Sequence, residues 1–124
     1  MKEKILIIDD HAEIRDMYGT ALRAKDYEVY AEPDGLSGAM RAAECKPDVI
    51  LLDIMMPKMD GFTVLDALKN NTNIVCKIIV ISNLENDRDK EKSLAAGADA
   101  FLRKSEYTPN QIVEEIEKIL GKTS

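Results

Sequence analysis

Four short stretches of this chain become almost wholly apolar and then stop on a residue that carries chemistry. Ile5-Leu6-Ile7-Ile8 runs into Asp9 and Asp10, and Val49-Ile50-Leu51-Leu52 runs into Asp53. Ile78-Ile79-Val80-Ile81 runs into Ser82, and Ala100-Phe101-Leu102-Arg103 delivers Lys104. Brief runs rich in Ile and Val, set between helical patterns, are those of strands buried on both faces of a parallel sheet. Ligands of such sheets bind outside the carboxyl ends of the strands. Asp9, Asp10, Asp53, Ser82 and Lys104 are therefore expected on one edge, although they lie far apart along the chain.

Helical spacing fills the intervals. Ile14, Met17, Tyr18, Ala21 and Leu22 predict a helix over Ala12 to Ala24, followed by a short strand over Glu28 to Ala31. Leu36, Ala39, Met40 and Ala43 form the next apolar stripe, between the turn chemistry of Pro33-Asp34-Gly35 and a stop at Pro47. Phe62, Leu65 and Leu68 stripe a third helix after Asp60-Gly61. A weaker fourth covers about Arg88 to Ala96, with Gly97 suited to a left-handed cap. Ile112, Ile116, Ile119 and Leu120 stripe a fifth, entered through Thr108-Pro109. Alternation of this kind predicts an α/β doubly wound, flavodoxin-like domain: a five-stranded parallel sheet with helices on both faces. The purest apolar runs belong in the middle, which gives the order 2-1-3-4-5 and a switch point between strands 1 and 3. Asp9, Asp10 and Asp53 flank that crevice.

Composition limits what the crevice can meet. The chain has 124 residues, enough for one domain with its own core. Its formal net charge is −6, which argues against direct binding to nucleic acid or an anionic membrane surface. No apolar stretch approaches the roughly 18 residues of a membrane span. The opening Met1-Lys2-Glu3-Lys4 leads straight into a strand with no secretory h-region. Cys45 and Cys76 form no paired motif and read as free thiols, so a cytoplasmic location is expected. With a single histidine and no cysteine pair, a structural zinc site is not expected.

Carboxylates within reach of one another repel by roughly 1–4 kcal/mol per pair at intermediate dielectrics. They relieve this by protonating or by holding a cation. Oxygen ligands favour Mg²⁺, Ca²⁺ or Mn²⁺, and Mg²⁺ fills its remaining positions with waters and phosphate oxygens. An ammonium at Lys104 and a hydroxyl at Ser82 are partners for an incoming anion. Together these groups suit phosphoryl transfer to a carboxylate.

At these residues the chain resembles the receiver domain of bacterial two-component response regulators. The resemblance rests on Asp9-Asp10, on the D-x-x-M-P-x-M-D-G stretch from Asp53 to Gly61, on Ser82 and on Lys104, and it covers essentially residues 1–124. It implies that Asp53 is the phosphoacceptor for a sensor histidine kinase or phosphotransfer protein. It implies that Asp10, Asp53 and the Met55 backbone carbonyl bind Mg²⁺ (or Mn²⁺) directly, and that Asp9 acts through a water on the ion. Lys104 and Ser82 would contact the aspartyl phosphate. Phe101 stands at the aromatic switch position and would turn inward when Ser82 moves, reshaping a face of helix 4, strand 5 and helix 5 for a downstream protein. Such a domain signals, and catalyses at most its own phosphorylation and dephosphorylation. Kinase choice would depend on exposed residues of helix 1 such as Arg15. No output domain follows Ser124, so a stand-alone receiver or a piece of a longer regulator is expected.

The pattern departs from the family in places. Ser105 follows Lys104 where the family has proline after a cis bond. A cis bond before serine costs about 2.5–4 kcal/mol, so a trans bond is expected. Met55 and Leu84 occupy positions which, in the family that the chain resembles, flank the phosphoryl group, and their bulk predicts slow self-dephosphorylation. His11 reads as a helix-start residue beside the site, with a ligand role as the minor reading. A phosphatase of the haloacid dehalogenase type would need an acid two residues after its nucleophile, where Met55 stands. A flavodoxin-like cofactor binder would need a Ser/Thr/Gly-rich first loop. A partner-binding pseudo-receiver would not need all five site residues.

Overall fold

The computed structural model describes residues 2–56, 60–83 and 87–122. The elements alternate as the apolar runs predict: β1 (Lys4–Ile8), α1 (Ala12–Arg23), β2 (Glu28–Glu32), α2 (Gly35–Cys45), β3 (Val49–Asp53), α3 (Gly61–Asn70), β4 (Lys77–Ser82), α4 (Asp87–Ala95), β5 (Ala100–Arg103) and α5 (Pro109–Ile119). A 3₁₀ turn over Lys104–Glu106 joins β5 to α5. The sheet is parallel in the order β2-β1-β3-β4-β5.

Alternate residues of each central strand feed opposite layers. Leu6, Ile8, Ile50, Leu52, Ile78, Val80 and Phe101 pack with residues of α2 and α3. Ile5, Ile7, Val49, Leu51, Ile79, Ile81 and Leu102 pack under α1 and α5. β1 from Ile5 to Ile8, and the whole of β3, are buried on both faces, which is why those runs show no polar alternation.

The helix ends follow their local chemistry. Asp34 caps α2 by accepting from the Ser37 N–H (2.8 Å), and Asp60 caps α3 by accepting from the Phe62 N–H (3.0 Å). Thr108 and Gln111 form a reciprocal capping box, with Pro109 in the first turn of α5. Gly97 takes a φ of +105° after α4, as the left-handed cap requires. The Lys104–Ser105 bond is trans, and the 3₁₀ turn carries the chain onward.

The face of α2 corrects the sequence reading. Leu36 and Met40 of the predicted stripe are 64% and 60% exposed, and Ala43 is exposed too. The buried face is Gly35, Gly38, Ala42 and Cys45, with Ala39 packed beside it. Close approach decides this. A Cβ on Gly38 would lie 2.5 Å from Cδ1 of the fully buried Ile8, so only small residues fit between α2 and β1. Met17 of α1 is likewise exposed, and Tyr18, Gly19 and Leu22 carry that helix's burial. Cys45 and Cys76 are free, and burial pushes the Cys76 thiol up to about 11.

Gly61 matters for proximity as well. A Cβ there would stand 2.2 Å from the backbone Cα of Ile54, the residue after Asp53. We expect Gly61→Ala to lower unfolding stability by about 1–3 kcal/mol, the usual range for forced overpacking. Urea denaturation of the variant against the wild type measures this.

Candidate functional site

β1 and β3 are neighbours in register, Ile8 opposite Leu52, so the residues that follow them emerge side by side. Asp9 directly follows β1 and Asp53 ends β3, and both are almost fully buried, 0% and 1% exposed. Asp10 is partly exposed at the start of the loop. Lys104 leaves β5 on the same edge, and its side chain is only 9% exposed.

The Lys104 ammonium bridges the two buried acids. Nζ donates to Asp9 Oδ2 (2.8 Å) and to Asp53 Oδ2 (3.1 Å). The remaining oxygens are held by backbone. Asp9 Oδ1 accepts from the His11 N–H (2.9 Å), and Asp53 Oδ1 accepts from the Met55 N–H (2.8 Å). Arg15 reaches back from α1 and donates through Nη1 to the Asp9 carbonyl (2.7 Å).

Burial pushes the Asp53 carboxyl above its usual range, and the Asp9 charge adds to that. The Met55 N–H and Lys104 pull the other way without cancelling it. Burial also disfavours the charged form of Lys104, but hydrogen bonds and attraction from Asp9 and Asp53 outweigh it and hold the ammonium above its ordinary value. The site is thus short of positive charge at Asp53 and firmly cationic at Lys104.

A divalent ion fits the donor set. Asp9, Asp10, His11 and Asp53 each offer one ligand atom, and these atoms lie within 4.8 Å of one another. Asp10 Oδ1 is the one buried side-chain polar atom among the described residues that has no hydrogen-bond partner. Such an atom is costly unless something pairs with it. An open cavity of about 340 Å³ adjoins the acids, lined by Asp10, His11, Asp53, Met55, Asn83 and Lys104.

Four of the predicted residues, Asp9, Asp10, Asp53 and Lys104, converge as the strand ends required. Met55 follows with its side chain 49% exposed along the cavity. Ser82 ends β4 one residue past Ile81, the register partner of Asp53; it is fully buried, while its neighbour Asn83 lines the cavity. Phe101 is already buried, 9% exposed within the apolar layer of α2 and α3, with the Arg103 guanidinium 5.9 Å from its ring. Leu84 and the Pro57-Lys58-Met59 part of the motif lie outside the described residues. His11 lies beside the acids, as its place at the helix start suggested, whereas the contributions of Arg15 and Asn83 to the site were not foreseen. Arg15 is half-buried against Asp9 instead of being a free surface contact.

This geometry agrees with the comparisons with known proteins. The family model of the response regulator receiver domain matches residues 5–117, and the chain belongs to that family. The chain is 32% identical over 121 residues to the DNA-binding dual master transcriptional regulator RpaA of Synechocystis, covering 97% of this chain and 50% of that protein. It is 41% identical over 106 residues to the response regulator PleD of Caulobacter vibrioides, covering 84% of this chain and 23% of that one. Among solved structures it is similar to the chemotaxis protein CheY4 of Vibrio cholerae, with a TM-score of 0.89, 27% identity and coverage of 96% and 99% of the two chains. A CheY-like receiver domain from Methanospirillum hungatei gives a TM-score of 0.86 at 29% identity over 98% and 96%. The chain spans about half the length of the first curated relatives it matches. It is therefore a receiver domain of two-component, phosphorelay signalling, and not a metabolic enzyme.

Two stability measurements test the electrostatics. Removing one partner of a buried ion pair typically destabilises by about 3–5 kcal/mol, and Lys104→Met should fall in that range by urea unfolding at neutral pH. Asp53 binds its proton more tightly folded than unfolded, so its ionisation opposes folding as pH rises. Asp53→Asn should therefore raise the unfolding midpoint at neutral pH. The gain should vanish below the ordinary carboxylate range, near pH ~4.

Proposed function

We propose that this domain accepts a phosphoryl group on Asp53 from a phosphohistidine of a sensor kinase or phosphotransfer protein, and that the transfer depends on Mg²⁺ or Mn²⁺. The observation that carries this reading is the buried Asp53 carboxylate, held by Lys104 and facing a cavity beside two further acids. An Asp53 carboxylate oxygen attacks phosphorus. A P–O bond forms as the P–N bond breaks, and the departing imidazole nitrogen takes a proton from solvent. When bound, the divalent ion supplies charge neutralisation for the phosphoryl oxygens, held by Asp10, Asp53 and the Met55 carbonyl, with Asp9 acting through water.

Lys104 is placed to follow the charge. Its ammonium already contacts Asp53 Oδ2, so a short movement brings it to a phosphoryl oxygen. Phosphorylation adds about −1 to −2 charge and strong acceptors at the end of β3. Ser82, buried at the end of the adjacent strand, is the hydroxyl that would turn toward them. Movement of the β4 end would alter the packing around Phe101 and so the face of α4, β5 and α5 offered to a downstream protein. A gap of a few kcal/mol between two states is enough for phosphate to move the population. The free, high-pKa thiols suit a reducing cytoplasm. Residues 1–124 act in this reading as one receiver domain.

Incubation with a small phosphodonor and Mg²⁺ tests the assignment. One phosphoryl group per chain is expected by intact mass, lost with a chelator and lost in Asp53→Ala. Equal labelling of Asp53→Ala would overturn it. Met55 lines the cavity and is expected to hinder attacking water, so Met55→Asn should shorten the phosphoryl half-life. An unchanged or longer half-life would count against that role.

A further inference from the structure

His11 occupies the N-cap position of α1 but makes no side-chain cap bond. Its imidazole is turned instead toward the acids: Nδ1 lies 3.0 Å from Asp9 Oδ1 and 3.1 Å from Asp10 Oδ1. The second of these oxygens is the buried atom with no hydrogen bond. Ligands in adjacent positions of an octahedral ion with bonds of about 2.1 Å lie roughly 3.0 Å apart, so His11 Nδ1 and Asp10 Oδ1, 3.1 Å apart, sit at the spacing of two neighbouring ligands of one ion. The same imidazole lines the cavity next to Asp53.

We propose that His11 Nδ1 is an additional ligand of the divalent-ion site, making it a mixed nitrogen and oxygen site that prefers first-row transition ions such as Co²⁺ and Ni²⁺ to Mg²⁺. The inference rests on the reading of the acid cluster as a divalent-ion site. Carboxylate and carbonyl oxygens favour Mg²⁺ and Mn²⁺, whereas an imidazole nitrogen adds affinity along the series toward Ni²⁺ and Cu²⁺. Nδ1 stands 3.0 and 3.1 Å from one oxygen of each acid, and it would serve as a ligand in the tautomer that carries the ring proton on Nε2. The consequence is a receiver whose loading depends on which divalent ion is available.

Calorimetric titration of Mg²⁺, Co²⁺ and Ni²⁺ into the wild-type chain and His11→Ala tests this at one fixed pH. His11 is exposed, so the variant is expected to fold. Loss of even an outer-shell partner typically lowers metal affinity by about 10–100-fold, so His11→Ala should bind Co²⁺ and Ni²⁺ at least about tenfold more weakly. Mg²⁺ affinity should hold or tighten. The electron spin echo of bound Mn²⁺ should show imidazole nitrogen coupling in the wild type and none in the variant. Equal Co²⁺ affinities, or no nitrogen coupling, would overturn the His11 role while leaving the phosphoacceptor reading intact. Failure of every divalent ion to bind the wild type would overturn both.

Discussion

The Lys104 ammonium, set between Asp9 and Asp53, is the contact on which the site depends. It joins residues 95 and 51 positions apart in sequence. Two carboxylates this deeply buried cannot both stay ionised without a nearby cation. Lys104 supplies it from the end of β5, where the chain turns into a 3₁₀ segment. The pair is a poor source of stability, because desolvation offsets much of the attraction. Its value lies in position: the cation and a buried acid are held at contact distance next to an open cavity. That is a preorganised electrostatic site, and charge added to Asp53, as the proposed function requires, would find its counter-ion already in place.

Packing brings the acids close enough for this to work. Parallel pairing aligns the carboxyl ends of β1 and β3, so Asp9 and Asp53 are neighbours by register alone. Gly38 lets α2 sit tightly on Ile8, immediately before Asp9. Gly61 lets α3 begin against Ile54, immediately after Asp53. Neither glycine has a positive φ. Both are needed for space, and each packs on a residue adjacent in sequence to one of the buried acids, Ile8 beside Asp9 and Ile54 beside Asp53.

The sheet and its order were legible because buried parallel strands leave a plain mark, four apolar residues and then a polar one. Asp9, Asp10, Asp53 and Lys104 followed from that mark without any structural knowledge. The face of α2 was not legible. Leu36 and Met40 dominate its periodicity, yet the buried face is the small residues Gly35, Gly38 and Ala42 with Cys45, and spacing cannot report how close two elements come. Arg15 escaped for a related reason: a long side chain on a helix surface can fold back onto a strand end, and nothing in its neighbours says so. His11 was visible but ambiguous, since a residue at a helix start is a cap candidate until its ring direction is known.

Beryllofluoride, a mimic of an aspartyl phosphate, addresses the assignment of Asp53 most directly. Added with Mg²⁺ to the isotope-labelled chain, it should move the amide resonances of Asp53 and Met55, of Ser82 and Asn83, and of Phe101 to Lys104 together. Asp53→Asn should abolish those shifts. Resonances that stay in place, or that move equally in Asp53→Asn, would contradict a phosphoacceptor at the end of β3.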